Sequence, residues 1–238
     1  MKNIFITAGV LLLIFFIQSC KKDGDNTSKD PEITATDIDG NVYTGIKIGT
    51  QVWMVENLKT TKYNNGDLIG TTIPSTKDIS AENKPEYQWA SNDNELNVTP
   101  YGRLYTWYAA TDSRGICPTG WHVPTDNEWV TLIDFWGGYI YAARYLKESG
   151  TTHWKWNIES TNFSGFTALP AGYHSYTGPF WSFGTAGNWW SSTENKTGTS
   201  LGKSMNYASD IVNDVGLDIA QGAIIKAGGN SVRCIRDN

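Results

Sequence analysis

Bulky aromatic side chains set among turn residues are the feature that most limits what this chain can fold into. Eleven Trp, twelve Tyr and 24 Gly are spread along it, and long aliphatic runs are few. A helix bundle needs sustained 3.6-residue periodicity, whereas short strands and ordered loops accept aromatics bounded by glycine. The expected class is therefore α+β: a single irregular domain with short antiparallel strands, two or three short helices and long ordered loops.

The first residues have a different texture. After Met1-Lys2-Asn3 the chain is apolar from Ile4 to Ile17, too short to span a bilayer and of the length of a signal-peptide core. Ile17-Gln18-Ser19-Cys20 resembles the lipobox of bacterial lipoproteins, with Gln18 in place of the usual small residue. That resemblance implies a signal peptide at 1–19 and a Cys20 that carries more than one acyl chain, palmitate among them, as stable anchoring requires. An ordinary cleaved secretory signal is the alternative, and export follows from either. The expected location is that of an exported bacterial lipoprotein at the outer membrane or cell surface, with the membrane as partner through the lipid anchor.

Residues 20–36 are expected to be the acylated cysteine and a flexible tether. Ile33 is their only sizeable apolar side chain, so little burial offsets the entropy of ordering them. The globular domain is expected at 37–238. The formal net charge is −5, one unit more negative once Lys2 leaves with the signal peptide. Clustered Lys and Arg are lacking, which argues against nucleic acid as a partner.

Local patterns place several elements. Asp37, Asp39 and Asn41 suggest a calcium loop, but Gly40 stands fourth where such a loop needs glycine sixth, and Ile48 stands at the twelfth position. A plain Asp-Gly turn is the better reading. Ile46 and Ile48, then Val52 and Met54, alternate as half-buried strands do across a turn at Gly49-Thr50. Asn64 to Thr99 is read as a polar loop, in which Asn92-Asp-Asn-Glu95 offers oxygens to a hard cation, with solvated loop as the default. Tyr101 to Ala110 is read as a short one-faced helix. Thr125-Asp-Asn-Glu128 is a capping box that opens a helix carrying Trp129, Val130, Leu132, Ile133 and Trp136, stopped by Gly137-Gly138. A second helical stretch is expected at Tyr139–Lys147, and strands return from Trp154-Lys-Trp156 onward.

Many blocks of the chain resemble the Fibrobacter succinogenes major paralogous domain. They include Gln51-Val-Trp-Met-Val-Glu-Asn-Leu58, Tyr101-Gly-Arg-Leu-Tyr-Thr-Trp107, Cys117-Pro-Thr-Gly-Trp-His-Val-Pro-Thr125, Gly165-Phe-Thr-Ala-Leu-Pro-Ala-Gly172, Trp189-Trp-Ser-Ser-Thr-Glu194 and Ser231-Val-Arg-Cys234. That family is common in envelope and secreted proteins of anaerobic, polysaccharide-using bacteria, and its molecular function is undefined. Val123-Pro-Thr-Asp-Asn-Glu-Trp129 and Val232-Arg-Cys234 are more distantly similar to the formylglycine-generating enzymes, a variant of the C-type-lectin-like fold. Those enzymes bind copper through a cysteine pair shortly before the ending, and Ser191 to Arg233 contains no cysteine. No catalytic residue, metal ligand or cofactor is therefore carried over.

With Cys20 assigned to the anchor, Cys117 and Cys234 of an exported chain are expected to form a disulfide. Cysteines at matching places in the formylglycine-generating family are bridged, which implies the same pairing. A thiol–imidazole pair of Cys117 with His122 is the alternative, but no third group to orient it is evident. His122, His153 and His174 show neither zinc spacing nor a nucleophile elbow near any serine. The remaining functional signal is aromatic. Trp154 and Trp156 would share one face of a strand, and Tyr173, His174, Tyr176 and Trp181 crowd a loop that contains Gly and Pro. These six are the candidate ligand-binding residues, with core packing as the alternative for each. The expected function is a cell-envelope lipoprotein displaying a non-catalytic binding module for glycan or another envelope component, polysaccharide or envelope protein being its partner. A degenerate enzyme of the formylglycine-generating fold and a purely structural envelope module are the alternatives.

Overall fold

The computed structural model describes residues 33–157, 159–196, 199–206, 212–215 and 224–237. The expected signal peptide, Cys20 and most of the expected tether lie outside the described residues. In chain order the elements are β1 (Ile33–Thr36), β2 (Val42–Ile48), β3 (Gln51–Met54), β4 (Gln88–Ala90), α1 (Val98–Tyr101), β5 (Arg103–Thr106), α2 (Trp107–Ala110), β6 (Trp121–His122), α3 (Asp126–Phe135) and α4 (Ala142–Leu146). They continue as β7 (Tyr173–His174), β8 (Phe180–Trp181), β9 (Ala186–Lys196), β10 (Thr199–Asn206), β11 (Val212–Val215), β12 (Ile224–Ile225), β13 (Gly229–Ser231) and β14 (Ile235–Arg236). The class is α+β, with short helices set among mostly antiparallel strands.

Two sheets carry the fold. The smaller has the order β1-β2-β3-β14-β6, and the larger runs β11-β10-β9-β13-β5-β4, with β12 on β10 and the β7–β8 hairpin attached to β13. Among the described residues β13 and β9 form the parallel strand pair, Ser231 opposite Trp189. The last residues hold both sheets together. β13 sits inside the large sheet and β14 inside the small one, while the amides of Met54 and Leu58 donate to the carbonyls of Cys234 and Val232 between them.

Between the sheets the core is aromatic. Trp53 lies 4.7 Å from Trp129 and 5.8 Å from Phe166, ring centre to ring centre, and Trp129 lies 6.4 Å from Trp189. All four are fully buried, so wide rings fill the irregular space that aliphatic layers fill in a regular sandwich.

Local signals formed as their chemistry dictates. Asp37 Oδ1 accepts from the amides of Asp39 and Asn41, which makes the Asp-Gly turn. The Thr125 side chain accepts from the Glu128 amide at 3.3 Å, and Glu128 accepts from the Thr125 amide at 2.7 Å, which completes the capping box of α3. Gly137 and Gly138 follow at φ +88° and +86° and stop it.

Three expectations are corrected. Ile33–Thr36, assigned to the tether, is β1, because alternation of Ile33 and Ala35 with Thr34 and Thr36 lets Ala35 bury opposite Tyr43. Tyr101–Ala110 is not one helix. Gly102 takes a left-handed φ of +74° that ends α1, and the large sheet claims Arg103–Thr106 as β5. The polar loop contains β4, which pairs with β5 and buries Trp89.

Cys117 and Cys234 are bridged, with their Cα atoms 6.0 Å apart. His122 beside them is a structural corner: its ring nitrogens lie 2.6 Å from Asp237 and 2.9 Å from Glu128. Burial opposes its charge, but the two carboxylates outweigh burial and hold its pKa above the ordinary imidazole value. The bridge joins residues 117 apart in sequence, for which the chain-entropy account gives about 5 kcal/mol. Cys117→Ser with Cys234→Ser is expected to lower the denaturation midpoint strongly and to abolish the effect of reductant on it. An unchanged midpoint would show that the bridge does not stabilise the domain.

Candidate functional site

The C-terminus of α3 builds a groove of about 420 Å³ walled by Phe135, Trp136, Gly137, Tyr141, Tyr145 and Phe163. Its geometry starts with the glycine pair. The Gly138 amide donates to the Ile133 carbonyl at 3.0 Å and reverses the chain, so that Tyr141 comes back over Gly137. Ser164 then ties the far wall to α4, its amide and hydroxyl both donating to the Tyr145 carbonyl at 3.2 and 2.7 Å. Phe163, next to that anchor, is turned outward.

Trp136 is the floor. Its ring stacks on Tyr145 at 5.0 Å and 25° and meets Phe163 and Phe135 edge-on at 6.0 and 5.2 Å. The walls remain open to solvent: Phe163 is 78% exposed, Tyr141 59% and Phe135 56%. The Trp136 indole N–H is buried and has no hydrogen-bond acceptor among the described residues. A buried donor without a partner costs about 1–3 kcal/mol, and its residue lines an open aromatic groove.

Of the six sequence candidates, the structure brings two together on the surface. Tyr173 and Trp181 are opposite one another on the β7–β8 hairpin, and both are exposed. Trp156 is exposed as well, next to Lys155, whose amide donates to the Gly184 carbonyl just beyond β8.

The other three face inward, contrary to expectation. Trp154 is fully buried and donates its indole N–H to the Ala168 carbonyl at 3.0 Å. The segment is a run of bends rather than a strand, so Trp154 and Trp156 do not share a face. His174 lies on the inner face of the hairpin, stacked on Trp89 at 3.9 Å and 9°, with Nε2 2.9 Å from the Ser75 carbonyl. Burial holds its pKa below the usual imidazole range, so the ring is neutral. Tyr176 is half-buried against Ile79, Trp89 and Ala227.

Sequence reasoning missed the groove. Trp136 falls at core spacing with Trp129, Leu132 and Ile133, which concealed its exposed edge. The available signal was Phe135, a large aromatic on the polar face of an amphipathic helix, two residues before the Gly137-Gly138 pair. Trp154→Ala is expected to cost about 3–5 kcal/mol, whereas Trp181→Ala should stay within about 0.5 kcal/mol of the parent. Chemical denaturation of both variants checks this, and equal losses would contradict the burial assignment.

Neither a curated protein nor a solved structure matches the chain. The Fibrobacter succinogenes major domain matches it over residues 46–236, from β2 to the last strand and including the groove and both cysteines of the bridge. On that match, which takes in well over half of its length, the chain belongs to the Fibrobacter succinogenes major domain family.

Proposed function

We propose that the domain is a non-catalytic module that binds glycan and is displayed on the cell envelope as a lipoprotein. The observation that carries this reading is the aromatic groove with its unpartnered indole donor. A pyranose presents a C–H face that packs on flat rings and hydroxyl oxygens that accept hydrogen bonds. The exposed rings of Phe135, Tyr141 and Phe163 offer the flat faces, and the Trp136 indole N–H is a donor without an acceptor among the described residues. A purely apolar ligand would leave that donor unpaired. The size of the groove also falls within the usual range for small-ligand sites. Tyr173 and Trp181 supply a second exposed aromatic surface of the same chemistry.

The same proposal takes the fold as a variant of the C-type-lectin architecture. Its support is that the first and last strands share the small sheet while the connections between them carry the exposed rings. Lipid attachment rests on the apolar core that ends in Ser19-Cys20.

Polysaccharide retention by the protein, measured by affinity electrophoresis, should weaken roughly tenfold in Phe163→Ala, equivalent to about 1.4 kcal/mol, with the melting temperature little changed. Failure of the parent to be retained by any polysaccharide in a broad panel would refute glycan binding. Lipidation is tested separately in a host that processes lipoproteins. Cys20→Ser should abolish fatty-acid labelling and release the protein from the membrane fraction, and persistent labelling would exclude Cys20 as the anchor.

A further inference from the structure

A second cavity, of about 470 Å³, opens between residues 71–75 and the β4–β5 edge. Its lining is unlike that of the aromatic groove. Arg103 reaches into it and is already engaged: Nη1 and Nη2 donate to the two oxygens of Glu95 at 3.0 and 2.6 Å, and Nη1 also donates to Gln88 Oε1 at 3.0 Å. That fork neutralises Glu95. Asp93 lines the same cleft and has neither a hydrogen bond nor an ion pair to its carboxylate among the described residues. The cleft therefore keeps one uncompensated negative charge.

Two donors and an apolar rim complete the pattern. Gln88 is only 7% exposed as a residue, and its amide nitrogen donates to no described residue; Arg103 Nε is buried and likewise unpartnered. At the mouth Ile73 is 89% exposed beside Pro74.

We propose that this cleft receives a Lys or Arg side chain of a protein partner. The cationic head would meet Asp93, the aliphatic stem would lie along Ile73 and Pro74, and backbone carbonyls next to the basic residue would accept from Gln88 and Arg103 Nε. A bare metal cation would use neither donor. An acidic ligand would be repelled by Asp93, and the negative net charge of the chain favours a basic partner over an acidic one. The inference does not depend on glycan binding, because it uses a different cavity and different residues.

The test titrates the full chain with a blocked triarginine peptide while following the Arg103 Nε–H and Gln88 side-chain amide resonances by NMR. The expected result is saturable shifts of both, at least tenfold weaker for the isosteric but uncharged tricitrulline peptide, and weaker as salt is raised. Asp93→Asn should also lose at least tenfold. Asn suits the φ of +54° at this position, and the tricitrulline comparison needs no variant. Absence of saturable shifts, equal affinity for tricitrulline, or undiminished binding by Asp93→Asn would overturn the proposal. So would tighter binding of calcium chloride or maltotriose at the same resonances.

Discussion

Arg233 occupies the joint between the two sheets, and the surrounding structure is arranged to keep its charge. The residue is fully buried, one position before the bridged Cys234. Its Nε and Nη2 both donate to Asn57 Oδ1, at 3.0 and 2.7 Å, and Nη1 donates to the Phe166 carbonyl. The guanidinium carbon lies 4.2 Å from the centre of the Phe166 ring. Burial lowers its pKa to about 9, still well above neutral pH, so the group enters the core charged. Leaving a buried neutral donor without its acceptor costs about 1–3 kcal/mol, and a charged one costs more. Asn57 gathers the rest: its oxygen also accepts from the Trp189 indole, and its nitrogen donates to the Tyr101 carbonyl and the Ser231 hydroxyl. One amide thus fixes the end of α1, the first half of β9 and the end of β13 around one cation.

That hub explains which parts of the fold could be seen in the sequence. The Asp-Gly turn, the β2–β3 hairpin and the capped helix α3 are specified by neighbours within a few residues, so their patterns survive in the linear chain. β4 and β5 are specified by distant partners. Arg103–Thr106 is extended because β13 pairs with it from more than a hundred residues away, and local helical spacing loses to that pairing. β1 is a smaller case of the same kind, since four residues of weak apolarity become a strand only when β2 offers an edge.

The candidate site was legible in residue type and not in position. An aromatic-rich surface was expected, and exposed rings exist, but three of the six named residues belong to the core or lean into it. Inferring a shared face for Trp154 and Trp156 required a strand, and bends replace it because Trp154 is pinned through its indole N–H to the Ala168 carbonyl. His174 illustrates the cost of reading an imidazole as a ligand group: stacked on Trp89 and donating to Ser75, it completes the inner face of a hairpin. On this hairpin Tyr173, beside it on β7, and Trp181, opposite Tyr173 on β8, face out.

The residues that hold the fold and those that present rings to solvent are therefore nearly separate sets. Asn57, Arg233, the Cys117–Cys234 bridge and the buried Trp53, Trp129 and Trp189 do their work inside the two-sheet body. Phe135, Tyr141 and Phe163 stand on a helix end and a loop tied back by Ser164, and Tyr173 and Trp181 on a hairpin of two short strands. Truncating an exposed ring leaves no cavity in the core, whereas truncating a buried one does. Trp136 is the residue where the two sets meet, with one edge packed below and one side lining the groove. Its ring is held by the stack on Tyr145, and its buried N–H has no acceptor among the described residues.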